Sequence, residues 1–116
     1  MTIPESVTVI GNSVFEGCKG LTSVTIPGSV TEIYSWVFSG CTGLQSVTIP
    51  EGVTEIAASI FEGCTGLTSI TIPGSATWIG DCDFSDCPNL TIHAPAGSYA
   101  ERYAQKNGIP FEATTK

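Results

Sequence analysis

Apolar residues recur along this chain in a long pattern. A segment of the form Phe-x-Gly-Cys-x-Gly-Leu-x-Ser-Val/Ile-Thr-Ile-Pro occupies residues 15–27, 38–50 and 61–73, and returns at 84–95 in a degraded form one residue shorter. The step is 23 residues each time. Self-similarity at such a period marks a stacked array, in which no unit buries its own apolar face and each depends on its neighbours.

Within a unit, two short apolar patterns predict two strands. Leu21-Thr22-Ser23-Val24-Thr25-Ile26-Pro27 reads as a strand with Leu21, Val24 and Ile26 facing inward. Its closing Pro donates no ladder hydrogen bond. The same holds at residues 44–50 and 67–73. After a Gly or Glu turn comes an apolar pair three residues apart, Val7 and Ile10, Val30 and Ile33, Val53 and Ile56, Ala76 and Ile79, which predicts a return strand on the opposite wall. Phe15, Phe38, Phe61 and Phe84 follow five residues later. They are expected to fill the interior from a short helical or irregular turn closed at Gly17, Gly40 and Gly63, where a positive φ is expected. Each unit brings about seven apolar side chains, each worth roughly 1.5–3 kcal/mol if fully buried, before chain entropy is set against them.

The two ends break the pattern. Thr2-Ile3-Pro4-Glu5-Ser6-Val7 aligns with residues 25–30, and Met1 takes the strand position of Val24, Val47 and Ile70. The first unit is therefore expected to be truncated, beginning with the strand end Met1 to Pro4 and exposing Ile3, Val7, Ile10 and Phe15. An uncapped edge recruits partners. A homo-oligomer, simplest as a closed two-fold pair through this amino-terminal end, is the expected consequence. At the other end, Ser98-Tyr99-Ala100-Glu101 has the spacing of a capping box and predicts a helix. Tyr99 and Tyr103, and Ala100 and Ala104, would pair on it at i, i+4, and Asn107-Gly108 would end it. That helix would block head-to-tail stacking. Ile109-Pro110-Phe111 predicts a last extended segment beside the fourth strand, with residues 113–116 frayed. Residues 1–95 read as repeats and 96–116 as a carboxy-terminal cap and tail.

Charge narrows the class of partner. Four Lys and Arg stand against eleven Asp and Glu, a net charge of −7. Nucleic acid is an unsuitable partner, because phosphate binding needs clustered cations. An anionic membrane surface is unsuitable for the same reason. No apolar run of about 18 residues predicts membrane insertion, and MTIPESV has neither the basic nor the apolar region of a signal peptide. Four of the five cysteines, Cys18, Cys41, Cys64 and Cys87, are spaced by 23 and predict a reduced ladder inside the core. There a thiol can reach a backbone carbonyl. Side chains stacked in parallel point the wrong way for the bridge dihedral. Cys82 lies outside the ladder and is expected to be the reactive thiol.

With these anchors in place the chain resembles the BspA-like, or treponemal-type, leucine-rich repeats. Their units run Cys-x-x-Leu-x-x-Ile-x-Ile-Pro and then Val-x-x-Ile-Gly-x-x-Ala-Phe. The match is carried by CKGLTSVTIPGSVTEIYSWVF and CTGLQSVTIPEGVTEIAASIF, over residues 1 to about 95, and SYAERYAQKNGIPF is similar to the segment that often closes such arrays. Two departures stand out. The small residue before Phe is replaced by Val14, Val37, Ile60 and Asp83, and the Gly after the second Ile survives only as Gly11 and Gly80, with Tyr34 and Ala57 between. The resemblance implies a mainly β, right-handed, curved solenoid of about four units with a helical cap. It also implies a secreted or surface protein, bacterial or in some cases protozoan, similar to adhesins that bind host or neighbouring-cell proteins. No catalytic residue and no cofactor belong to that pattern.

Candidate binding residues fall into two groups. Ser23 and Thr25, Ser46 and Thr48, Ser69 and Thr71 place one Ser-x-Thr pair per unit on the outward side of the strand, a regular hydroxyl surface along the concave wall. Small polar β-formers also simply suit solvent-facing strands. A flat hydroxyl lattice of this kind could match ice, but the curvature of such repeats spoils the match. Tyr34, Trp36 and Trp78 stand where other units have small or acidic residues, or Val. Exposed large aromatics are favoured anchors for protein partners, and packing against a neighbouring unit is the alternative. Asp81-Cys82-Asp83-Phe84-Ser85-Asp86 resembles the start of a calcium loop but lacks its turn Gly and closing Glu. His93 has no metal partner at ligand spacing and takes the place of Thr25, Thr48 and Thr71. Asn89-Leu90-Thr91 is a glycosylation sequon by pattern. No acid, base or metal constellation predicts an enzyme. The expected function is protein binding or adhesion without catalysis. The alternative is a structural spacer, or an engineered fragment of a longer solenoid, and the ragged residue choices argue against consensus design.

Overall fold

The computed structural model describes residues 3–80, 84 and 87–114. Its strands alternate between two parallel sheets. One sheet is built from β2 (Ser23–Thr25), β4 (Ser46–Thr48), β6 (Ser69–Thr71), β8 (Thr91–Pro95) and β9 (Phe111–Thr114), in that order. The other holds the return strands β1 (Val9–Ile10), β3 (Glu32–Ile33), β5 (Glu55–Ile56) and β7 (Trp78–Ile79). Pairing follows the sequence repeat, so Val24 stands opposite Val47, Val47 opposite Ile70 and Ile70 opposite Ile92. The chain is the mainly β solenoid of about four turns that its periodicity predicts, closed by a helix, α1 (Tyr99–Asn107).

The strands are shorter than the apolar pattern indicates, three residues in β2, β4 and β6 against the seven of residues 21–27. Turn hydrogen bonds cut them down. Leu21, Leu44 and Leu67 donate their N–H to the carbonyls of Cys18, Cys41 and Cys64 at 3.0, 3.1 and 3.0 Å, so these amides are spent before the strand begins. At the other end the carbonyls of Pro27, Pro50 and Pro73 accept from Val30, Val53 and Ala76.

The segment carrying the phenylalanines is a turn rather than a helix, and it too is laddered along the stack. Phe15 donates to the Val37 carbonyl at 3.0 Å and Gly17 to Ser39 at 2.8 Å, and one unit on Phe38 donates to Ile60 and Gly40 to Glu62. Gly17, Gly40 and Gly63 have φ of 74, 75 and 78°, the left-handed conformation expected of them. Four residues earlier, Ser13, Trp36 and Ser59 also have positive φ, 61, 60 and 62°, although they carry side chains.

Inside, the repeat becomes columns of identical side chains. Phe15, Phe38, Phe61 and Phe84 stack with centroids 5.6, 5.6 and 5.8 Å apart and planes within 10°. That separation exceeds the strand spacing of about 4.8 Å, so the rings are offset, which aromatic quadrupoles prefer. The cysteine ladder is reduced in Cys18, Cys41, Cys64 and Cys87. Each thiol after the first donates to the carbonyl of the preceding unit's phenylalanine: Cys41 to Phe15 at 3.1 Å, Cys64 to Phe38 at 3.0 Å, Cys87 to Phe61 at 3.3 Å. Val37 and Ile60, larger than the small residue that the resemblance implies before Phe, are fully buried in this core. Burial pushes the Cys41 thiol up and the Cys64 thiol up to about 12.

The cap closes the carboxy-terminal end. Ser98 Oγ accepts from the Glu101 N–H at 3.3 Å, while the Glu101 carboxylate accepts from the Gly97 N–H at 2.6 Å, one residue earlier than a capping box places it. Gly108, φ 70°, ends the helix. Ala100 and Ala104 are fully buried, and Tyr103 meets Phe84 edge-on at 5.9 Å, which terminates the phenyl column. β9 pairs with β8 from Ile92↔Phe111 to Pro95↔Thr114. Ala113 and Thr114 are thus paired rather than frayed, because β8 runs five residues and offers an edge that long. The expectations that rest on Met1, Cys82 and Asp81, Asp83 and Asp86 lie outside the described residues.

Two outcomes test this packing. A Cβ at Gly66 would lie 2.7 Å from the Thr42 carbonyl oxygen, whereas one at Gly20, the same repeat position, would meet nothing within 4 Å. Gly66→Ala is expected to cost about 1–3 kcal/mol, as overpacking does, and Gly20→Ala less than about 0.5 kcal/mol. Equal urea midpoints for the two variants would show that unit spacing is not fixed by backbone contact here. The second concerns Cys64. The folded protein holds its thiol protonated to about pH 12, against an ordinary value of 9.0, so the unfolded chain loses this proton first. The contribution is therefore complete below about pH 9 and declines as pH rises toward 12. Urea midpoints measured from about pH 8 to 10.5 should fall less steeply for Cys64→Ala, which loses stability at every pH, than for the parent.

Candidate functional site

The hydroxyl face is built by strand alternation. Ser23 and Thr25 flank the buried Val24, and Ser46 and Thr48 flank Val47, so all four hydroxyls face solvent. Register stacks them into two files, Ser23, Ser46, Ser69, Thr91 and Thr25, Thr48, Thr71, His93. Ser69 and Thr71 were expected to be as open as the others but are half-buried. The next rung explains it, for His93 stands beside Thr71 in place of a threonine, and Glu112 stands beside His93. His93 Nδ1 is 3.7 Å from Glu112 Oε1. Among the described residues no three ligating side chains converge. None of their helices is long and apolar enough to cross a membrane.

The aromatic candidates are exposed but lie apart from the hydroxyl files. Trp78 belongs to β7 and Tyr34 directly follows β3, both on the return sheet, and Trp36 sits in the turn beyond. They are 54, 42 and 47% exposed. The Tyr34 hydroxyl donates to Glu32 Oε1 at 2.6 Å, a bond to a carboxylate that raises the pKa of the phenol. Beside this ring, the smaller Ala57 leaves an open cleft of about 360 Å³ with Glu32, Thr54 and Glu55 on its walls. Trp78 lines a second cleft, also about 360 Å³, against α1. The structure thus gathers the nine candidates into a hydroxyl face and separate aromatic positions rather than one site.

The amino-terminal face differs from expectation in its residues. Ile3 and Ile10, expected to be exposed, are buried, and Val7 and Phe15 are half-buried. The Ile3 N–H donates to the Thr25 carbonyl at 3.4 Å, which holds this segment against β2. Ile10 pairs across to Ile33. The exposed apolar groups are Val9 and Val14, at 41 and 55%, and with Ile3, Val7, Ile10 and Phe15 they line a hollow of about 340 Å³. Both were legible. Val9 takes the outward position of Glu32 and Trp78, and Val14 the position of Val37 and Ile60, whose burial needs a unit on either side.

Comparison with known proteins agrees with this architecture. The family described as "BspA type Leucine rich repeat region" matches in six copies across residues 1–102. The crystal structure of a Treponema pallidum leucine-rich repeat protein superposes with a TM-score of 0.76 at 30% identity, covering 79% of this chain and 44% of that protein. A leucine-rich cell surface protein from Faecalibacterium prausnitzii gives 0.63 at 32% identity, covering 98% of this chain and 35% of its own. A leucine-rich repeat protein from Bacteroides ovatus gives 0.64 at 27%, covering 99% and 42%. The chain spans less than half the length of each. A comparison with curated sequences gives no significant match. Repeat period, register and the matches over most of the chain converge, and the chain belongs to the BspA-type leucine-rich repeat family.

Proposed function

We propose that the chain is a non-enzymatic protein-binding module of a secreted or cell-surface protein, engaging a host or neighbouring-cell protein through the exposed hydroxyls and the aromatic side chains. Trp36 carries this reading. Its backbone has φ 60°, a region costly for a bulky side chain, at a position where the other described units hold Ser13 and Ser59. Trp36 is 47% exposed and lies outside the buried core cluster. A large exposed aromatic held outside the core in a costly backbone conformation fits an anchor for a partner. The surface class is supported by the similar Faecalibacterium protein, described as a cell surface protein. The absence of catalysis is supported by a family and fold that typically carry none.

The reading extends to self-association. The hollow framed by Val9 and Val14 is apolar and includes Val9 and Ile10 of β1, the edge strand of the return sheet. A second copy docked by its own equivalent face would cover both the hollow and the β1 edge in a closed pair. A spacer within a longer solenoid is the second reading, favoured by the chain's spanning under half of each similar protein.

Trp36→Ser is expected to leave stability unchanged or raise it by up to about 1 kcal/mol through relief of strain. The same change should weaken adhesion to a host-protein panel by about tenfold or more, as loss of an anchor does. Thr48→Arg should weaken it by steric and charge conflict across the hydroxyl face. If both variants bind as the parent does, those positions are not the site; if the parent binds nothing in a broad screen while folded, the spacer reading replaces this one. In light scattering the protein should show a concentration-dependent dimer that Val9→Lys with Val14→Lys abolishes. A monomer at millimolar concentration would refute the pairing.

A further inference from the structure

Cations are scarce in this chain, which makes their placement informative. Of its four Lys and Arg residues, Arg102 and Lys106 sit four apart on α1. Such a spacing puts like charges on one helix face, where they repel. Tyr99 and Tyr103 share that face by the same periodicity, and all four line the cleft of about 360 Å³ whose other wall is Trp78.

The lining divides into an aromatic plate and a cationic rim. The Trp78 and Tyr99 rings lie 6.5 Å apart at 40°, and Trp78 is 54% exposed. The Arg102 guanidinium lies 6.0 Å from the Tyr99 ring centroid, and its Nη1 donates to the Gly97 carbonyl at 3.0 Å. These contacts fix the plane of a group whose remaining N–H donors suit a carboxylate. Among the described residues no carboxylate pairs with Arg102 or Lys106. Asn107 Nδ2 donates to the Tyr103 carbonyl at 2.9 Å, which leaves its oxygen as an acceptor at the cleft's end. Two cations beside an open indole, in a chain of net charge −7, complement a ligand that is both anionic and flat on one side.

We propose that this cleft binds a carboxylate-bearing sugar residue of the hexuronic or sialic acid class, with one face of the pyranose ring on Trp78 and the carboxylate held by Arg102 and Lys106. An open, shallow plate fits a pyranose, whose C–H groups line one face and whose hydroxyls ring its edge. A peptide side chain would want a deep apolar pocket, and Ile79 on the cleft floor is almost fully buried and offers no such surface. The volume is at the small end of ligand sites and matches one sugar unit of a longer glycan. Trp78 also belongs to the exposed aromatics of the protein-binding reading, but this assignment does not rest on that reading, because it is argued from the cleft lining alone and Trp36 and Thr48 play no part in it.

The full chain carrying Trp36→Phe retains Trp78 as its single indole and reports on the cleft by fluorescence. Sialyllactose and oligogalacturonate should each change that signal saturably at about millimolar concentration, weakening as salt is raised, while lactose should not. Arg102→Gln and Lys106→Gln should each weaken the response about fivefold or more, and the double variant should abolish it. In the otherwise unaltered protein, Trp78→Glu places there the residue of β3 and β5, and it should abolish binding seen by NMR titration with its far-UV circular dichroism unchanged. The proposal is overturned by no saturable response to any acidic sugar at about 10 mM, by equal response to lactose, by undiminished binding in the double variant, or by a response to acidic peptides alone. Loss of protein adhesion in Trp36→Ser with sugar binding intact would separate the two sites.

Discussion

Along the stack, a residue's closest neighbours on either side are its own equivalents in the adjoining units, about one strand spacing of 4.8 Å away. Every position is therefore constrained by whether a side chain tolerates a copy of itself. Phenylalanine does, by stacking at 5.6 Å. Cysteine does, because each thiol after the first reaches back to the Phe carbonyl of the unit before it. Valine and isoleucine do on the strands. A carboxylate does not, since like charges directly opposite repel. The outward column of the return sheet shows the consequence, running Val9, Glu32, Glu55, Trp78, so that only two acids are consecutive. The Tyr34 hydroxyl donates to one of these, Glu32. Serine and threonine, small and neutral, fill the outward positions of the other sheet for the same reason.

Translation fails as a source of neighbours at the ends, and the two ends differ. At the carboxy-terminal end α1 replaces a unit with a different surface: Ala100 and Ala104 are small enough to lie against the array, and Tyr103 meets Phe84 edge-on where a fifth ring would have stacked. β9 supplies the missing strand for one sheet, while β7 ends the other. The cleft beside Trp78 is thus a product of the cap, since a helix fits less closely against the edge of β7 than another return strand would. At the amino-terminal face Val9 and Val14 remain open, and among the described residues no comparable element lies over them.

The sequence announces the architecture because the fold is the repeat: period, inward residues, turn glycines and cap were legible from spacing alone. The misses fall where translation no longer decides. Strand lengths are set by hydrogen bonds from Leu21, Leu44 and Leu67 into the preceding turn, which an apolar pattern does not encode. Exposure of Ile3 and Ile10 was inferred from missing neighbours, but neighbours on one side suffice to bury them. Ser69 and Thr71 lose exposure to bulkier residues at the following rungs, an effect of register rather than of their own unit. The strain at Trp36 was hidden because Ser13 and Ser59 occupy the same left-handed position without drawing attention to it.

The same constraint decides where individuality can enter. A core position that departs from its column disturbs two neighbours, so variation is tolerated on the outward faces and in the turns, where Tyr34, Trp36 and Trp78 are found. The column Gly11, Tyr34, Ala57, Gly80 makes the point on a single file. At Gly80 a Cβ would lie 2.6 Å from the Ala58 nitrogen, so the backbone there has closed toward the preceding unit and admits no side chain. Tyr34 is exposed at this position, and the cleft beside it opens because Ala57 does not follow. A binding surface in such a protein arises from breaking translation at one rung while the rungs on either side keep it, which is why the exposed aromatics occur singly and never as a stack.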